Sequence, residues 1–296
     1  MDATVNGKPR AYLDLIRLPN LFTAAADVLA GFLYSGGKLE QWTELVGLVA
    51  ASVFLYAGGV ALNDVCDVER DRVERPGRPI PSGRISRRTA WRLSMGLLII
   101  GFAFAAITTT RAAMIAVLLI VAIVLYDVVL KSTPVAPAVM GLCRALNLAL
   151  GMHAAESLWT VAAMTPIGLM WLYITSVTFF ARHEGGVSSS FRLAVGTIGV
   201  CAAVAALSTL VWIVPSVRLS FLWLAALLTI ELAYLGFRAA SRRSPHTVQD
   251  AVRTFVVSLI FFDACIAWAA MGPFAGMLVG FLILPTFILA RSLRVT

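Results

Sequence analysis

The sequence is poor in charge. Asp, Glu, Lys and Arg make up only 14% of its 296 residues, while 59% are hydrophobic; a soluble domain carries about 25% charged residues. No polar stretch is long enough to build a soluble domain, which excludes a water-soluble enzyme or binding module. The four cysteines, Cys66, Cys143, Cys201 and Cys265, are scattered and form no Cys-x-x-Cys pair. Neither a zinc site nor a disulfide framework is indicated, and they read as small apolar fillers. Internal repeats and low-complexity segments are also missing. The N-terminus, Met1 to Pro9, is too short and polar for a cleaved signal peptide, so the first apolar run reads as a retained span.

What the chain has in abundance is apolar runs of 18 residues or more, each able to cross ~30 Å of hydrocarbon as a helix rising about 1.5 Å per residue. Ten spans are predicted, at about 11–35, 42–63, 89–109, 112–130, 134–154, 160–181, 191–214, 219–237, 252–271 and 273–291. The last two are separated only by Gly272 and Pro273. The fold class is therefore all-α, a polytopic membrane helix bundle of about nine to ten transmembrane helices, with residues 1–296 as a single transmembrane domain.

Basic residues set the expected orientation, because cytoplasmic loops collect Lys and Arg. With the N-terminus inside, twenty of the twenty-four basic residues fall on the inner side, and only Lys38, Arg111 and Arg218 fall outside. Both termini are expected in the cytoplasm, with the chain in the inner membrane. The net charge of +8 then needs no nucleic acid as partner; topology and attraction to anionic lipid account for it.

Acids are scarce but clustered. Asn63-Asp64-Val65-Cys66-Asp67-Val68-Glu69-Arg70-Asp71 follows an apolar run, and Arg78-Pro79-Ile80-Pro81-Ser82-Gly83 comes soon after. On a helix, at about 100° per residue, Asp64, Asp67 and Asp71 fall within about 60° of one another. Three carboxylates on one face repel, and the usual remedy is a divalent cation or a set of arginines around them. Carboxylates favour hard cations such as Mg²⁺, which is typically shared with phosphate oxygens. Glu69 and Glu74 point away and read as exposed ion-pair partners of Arg70 and Arg75. Ionisable or polar groups inside spans are Asp27, Arg144, Asn147, His153, Glu231 and Asp263, and such groups face a cavity or each other. Arg144 and Asn147, at i and i+3, share a face. They read either as cavity contacts or, for Arg144, as a bridge to Asp27, Glu231 or Asp263. Gly58, Gly59, Gly141 and Gly151 read as close-packing positions between helices.

The N-D-x-x-D-x-x-x-D spacing with Arg-Pro-x-x-Ser-Gly after it resembles the first aspartate motif of the UbiA superfamily of intramembrane prenyltransferases. Arg17-Leu18-Pro19-Asn20 is similar to that family's start of span one. Tyr126 to Lys131 resembles its Tyr-Pro-x-x-Lys-Arg segment, with Asp127 in place of proline. The resemblance covers about residues 11 to 270 and implies a helix bundle around a central cavity. It also implies Mg²⁺ as cofactor, with a polyprenyl diphosphate and a small polar or aromatic acceptor as partners in the lipid bilayer. On this resemblance Asn63, Asp64, Asp67, Asp71 and Glu184 are the expected metal ligands, with Asp64 and Asp71 either ligands or their supports. Asp67, Asp71 and Lys131 are the expected catalytic residues. Arg78, Lys131 and Arg182 would grip the diphosphate, and Arg17, Asn20, Arg144, Asn147 and His183 would line the substrate cavity.

The second acidic motif of the family is depleted. Val177, Glu184 and Ser188 stand at its three acidic positions, with Arg182 and His183 beside the one acid that remains. Either a second Mg²⁺ is held more weakly, with Arg182 replacing its charge, or the chemistry has changed; the first is favoured. His183 is either a general base for an acceptor hydroxyl or an ordinary loop histidine. The segments Tyr126–Lys131, Met140–Asn147 and Val177–Glu184 further resemble the UbiA-like proteins of ebo-type gene clusters, which points to a polar, cyclitol-like acceptor. A membrane terpene cyclase and a transporter are the alternatives.

Overall fold

The computed structural model describes residues 7–182, 189–214 and 217–293, and among them there is helix and no strand. The helices are α1 (Gly7–Leu15), α2 (Leu21–Tyr34), α3 (Trp42–Cys66), α4 (Val68–Glu74), α5 (Arg87–Thr108), α6 (Thr110–Val124) and α7 (Ala136–Gly151). They continue with α8 (Val161–Ala181), α9 (Ser190–Ala205), α10 (Leu210–Ile213), α11 (Phe221–Arg242), α12 (Pro245–Val257), α13 (Leu259–Met271), α14 (Pro273–Gly280) and α15 (Ile283–Leu293). Helix starts follow local chemistry. Ser86, Thr109, Thr160 and Ser244 each accept a hydrogen bond from the backbone N–H three residues on, satisfying one of the donors a helix start leaves open.

Among the described residues eight helical stretches are long and apolar enough to cross a membrane: Trp42–Cys66, Arg87–Thr108, Thr110–Leu130, Val161–Ala181, Ser190–Ile213, Phe221–Arg242, Pro245–Met271 and Pro273–Arg291. The protein is a multi-pass membrane helix bundle. Two of the ten predicted spans take another form. The first is bent by 45° between Pro9–Leu15 and Leu18–Tyr34. The bend sits at Arg17, whose φ of 49° is left-handed, with Pro19 just beyond. The fifth, α7, has 16 residues, too few for a full crossing. Pro137 sits in its first turn, and it ends at Gly151, where a Cβ would run into the Val28 carbonyl of α2. The ninth begins earlier than predicted, at Pro245 behind its Ser244 cap. The turn between the last two is real: Gly272 has φ 92°, open to glycine but not to other residues at low cost. Beyond it α14 folds back so that Gly276 lies against Trp268.

α2 is the axis of the bundle, packed against α3, α7 and α13 and buried from Leu21 to Leu33 on almost every side. A helix apolar around its whole circumference belongs inside. The outer helices present Ile99, Val128, Ile198, Trp212 and Leu227 outward, as expected where lipid rather than water is the solvent. The close-packing reading of the glycines holds. Side chains at Gly58, Gly59 and Gly141 would meet Leu98, Ile123 and Trp171 across the helix contacts.

Candidate active site

Between α3, α6, α7, α8 and α12 the bundle leaves a cavity of about 1140 Å³. Its wall is mixed in character. Leu119, Ile123, Met140, Ile174, Val177 and Val252 are apolar; Arg17, Asn63, Asp67, Asp71, Arg78, Lys131 and Arg182 gather as a polar set, and Arg144 and Asn147 form a second one. Nine predicted site residues thus share one cavity.

The aspartates are presented by a loosened turn. α3 ends at Cys66 and α4 starts at Val68, yet the Asp67 N–H still donates to the Asn63 carbonyl at 2.9 Å and the Asp71 N–H to the Asp67 carbonyl at 2.8 Å. The three acids therefore stay on nearly one face, as their spacing predicts, but they do not share a remedy. Asp64, 3% exposed, accepts from Arg17 Nη2 at 3.0 Å and from Arg78 Nη1 at 3.2 Å. Asp71, also 3% exposed, accepts from the same Arg78 nitrogen at 2.6 Å. Asp67 pairs with the Lys131 ammonium, which lies 5.9 Å from the Tyr126 ring centre. Of the two remedies foreseen for clustered carboxylates, the arginines are visible on Asp64 and Asp71, while Asp67, on the cavity wall with Asn63, is paired with Lys131. Asp64 is not on the cavity wall. Among the described residues no group of three or more His, Cys, Asp or Glu side chains forms a ready metal cage.

Asn20 also lies off the cavity wall, contrary to expectation. Its backbone shapes the bend instead: its N–H donates to the Arg17 carbonyl at 2.8 Å and its carbonyl accepts from Thr23 Oγ1 at 2.7 Å. Arg182 reaches the wall while donating to the Thr133 carbonyl at 2.6 Å. Glu184 and His183, with Ser188, lie outside the described residues. Along α4 Arg70 pairs with Glu74 at 2.9 Å, as expected, while Glu69 pairs with Arg72 at 2.7 Å, which was not among its expected partners; Arg70 and Glu74, expected to point away, border the cavity. The Glu74 hydrogen bond raises the Arg70 guanidinium further above its ordinary value.

Arg144 forms the foreseen bridge to Asp27 and also lies on the cavity wall. Its guanidinium borders the cavity, donates to Asp27 Oδ2 and to Thr23 Oγ1 at 2.8 Å each, and stacks 4.8 Å from the Tyr56 ring centre. Asn147 Nδ2 donates to the same Asp27 oxygen at 2.8 Å. Asp27 Oδ1 and both oxygens of the neighbouring Asp263 find no donor among the described residues. Glu231 is exposed and takes no part.

Several residues on the wall were not foreseen, among them Arg70, Arg75, Tyr126 and Asp127. Asp127 is on the cavity wall, 8% exposed, and accepts from Asn63 Nδ2 at 2.7 Å. From the sequence it reads only as a replacement for proline. An acid within an apolar run was the signal that could have found it.

The fold and site together define a class: a membrane-embedded helix bundle enclosing one large cavity with acids, an amide and fixed cations gathered on its wall. The UbiA prenyltransferase family profile matches residues 24–263, and the chain belongs to the UbiA prenyltransferase family. It is 40% identical over 155 residues to digeranylgeranylglyceryl phosphate synthase of Methanopyrus kandleri, a match covering 51% of this chain and 56% of that relative; the chain thus spans little more than half the length of that relative. A UbiA homolog from Aeropyrum pernix K1, solved in its apo form, superposes with a TM-score of 0.62 at 18% identity, over 92% of this chain and 98% of that one. A UbiA homolog from Archaeoglobus fulgidus bound to DMAPP and Mg²⁺ superposes with a TM-score of 0.53 at 16% identity, over 95% and 99%. At such identities the two structures speak to the fold alone.

Proposed function

We propose that the chain is a Mg²⁺-dependent intramembrane prenyltransferase, moving a prenyl group from an allylic diphosphate to the hydroxyl of a small polar acceptor. The observation that supports this most is the joining, in one 1140 Å³ cavity, of hard oxygen donors and fixed cations with a long apolar wall. The donor set fits the metal: the Asn63 amide oxygen and the Asp67 carboxylate are hard ligands of the kind Mg²⁺ takes alongside phosphate oxygens and water. Asp71 and Asp64 support the turn that carries them, and Glu184 is the remaining candidate from the second motif. Bound there, Mg²⁺ would supply Lewis-acid stabilisation of the leaving diphosphate.

The chain's own residues do the rest. Lys131 and Arg182 donate to the diphosphate oxygens, and Arg78 has further guanidinium N–H groups beyond the one held by Asp64 and Asp71. Charge fixed in place before the reaction stabilises the diphosphate as the C–O bond breaks and the electron pair leaves with it. The wall of Leu119, Ile123, Ile174 and Val252 keeps water from the allylic cation. The acceptor oxygen then forms the new C–O bond, its proton passing to the released diphosphate. The name of the Methanopyrus kandleri relative favours a glyceryl phosphate acceptor over the cyclitol-like one. Arg70 and Arg75 on the cavity wall suit a phosphate-bearing headgroup. The face carrying the arginines from Arg70 to Arg92 is read as cytoplasmic.

A terpene cyclase has less support, because among the described residues Tyr56 and Tyr126 are the only aromatic side chains on the wall. The test uses the purified protein in lipid nanodiscs with labelled geranylgeranyl diphosphate and a prenylated glyceryl phosphate. Diphosphate release and a mass increase of the acceptor are expected with Mg²⁺ and lost with EDTA. Diphosphate release with no alkylated acceptor would favour the cyclase, and no release from any prenyl diphosphate would overturn the proposal.

A further inference from the structure

α6 does not end as an ordinary α-helix. Its last turn, Leu125–Leu130, widens into a π-helix, a rare geometry that occurs often at functional sites. Tyr126 and Asp127, within this turn, and Lys131, just after it, all border the cavity. Asp127 Oδ1 accepts from Asn63 Nδ2 at 2.7 Å. A carboxamide has one donor end and one acceptor end. Once Nδ2 is committed to Asp127, the amide cannot turn over, and Oδ1 is left as its free end. Without that partner the amide can present its NH₂ group to a cation, which it would repel.

We propose that Asp127 is a positioning residue that locks the Asn63 amide with its oxygen available as a metal ligand. This rests on the reading of Asn63 as a Mg²⁺ ligand given above. A ligand held by a hydrogen-bonded carboxylate behind it is a common arrangement in metal sites. Asp127 also adds an acid to a cavity in which Val177 stands where the second motif usually carries one.

The test is Mn²⁺ binding, read by electron paramagnetic resonance on the full chain in nanodiscs with inorganic diphosphate, beside a melting curve taken without metal. Asp127→Ala is expected to weaken Mn²⁺ binding about 10- to 100-fold, with the metal-free melting curve little changed and Asp127→Glu restoring part of the affinity. In an Asn63→Asp background residue 63 has two equivalent oxygens and needs no orienting, so Asp127→Ala should then cost little, a strong non-additivity between neighbours. Equal losses in both backgrounds, or unchanged Mn²⁺ affinity in Asp127→Ala, would overturn the positioning role while leaving the metal site standing. Failure of the unaltered protein to bind Mn²⁺ would instead remove the reading on which the inference rests.

Discussion

At one end of the cavity Arg17 and Arg78 hold Asp64 and Asp71, and Lys131 holds Asp67. In a second cluster of charges Arg144 holds Asp27. In the first, the Lys131–Asp67 pair is partly wet, its side chains 23% and 19% exposed, while Asp64 and Asp71 are buried against Arg17 and Arg78; in the second, Arg144 is 9% exposed and Asp27 fully buried. Partly solvated pairs gain little from any one partner and exchange partners readily. A buried pair cannot, because parting it strands a charge in a low-dielectric interior. Under the proposed function the contrast divides chemistry from architecture: Lys131 would pass from Asp67 to a diphosphate oxygen, while Arg144, tied to Asp27, Thr23 and Tyr56, fixes α7 against α2 and α3.

Four substitutions sharpen this division. The largest effect on catalysis is expected from Asp67→Ala, which should lower diphosphate release on the order of a thousandfold or more, as losing several kcal/mol of metal-based stabilisation implies. The protein should remain folded in nanodiscs by melting curve and size-exclusion profile. Arg144→Leu should behave in the opposite way, destabilising the fold by about 3–5 kcal/mol because Asp27 is left buried without its cation. Adding Asp27→Leu should recover much of that loss in unfolding measurements, while activity tracks the folded fraction. Recovery of stability with no activity in the folded protein would give Arg144 a direct part in the chemistry. The smallest effect belongs to Glu69→Gln. The Arg72–Glu69 pair is exposed on both sides, and losing it should cost about 0.3–0.5 kcal/mol with no change in rate.

Much of this was legible in the sequence, for identifiable reasons. Apolar runs report membrane helices because the backbone must satisfy its own hydrogen bonds in lipid, and all ten predicted segments have helical counterparts. Asn63, Asp67 and Lys131 could be placed because motif spacing is local. Other features rest on contacts that spacing does not encode. Arg17 meets Asp64 across 47 residues of chain, and that contact removes Asp64 from the open wall. The left-handed backbone at Arg17 puts Asn20 off the cavity, and the widened turn at Leu125–Leu130 brings in Asp127. Helical periodicity assumes a regular α-helix throughout, so a π-turn shifts residues away from the faces it predicts. The close approach of α2 and α7 at Gly31 and Gly151 is again a tertiary fact.

Anomalous diffraction from crystals grown with Mn²⁺ and inorganic diphosphate would locate the metal directly. The expected result is a peak within about 2.0–2.2 Å, as for octahedral oxygen coordination, of Asn63 Oδ1 and an Asp67 oxygen, with Lys131 turned from Asp67 to the diphosphate. A peak lodged between Asp64 and Asp71 with Arg78 displaced, or no peak on the cavity wall at all, would contradict it.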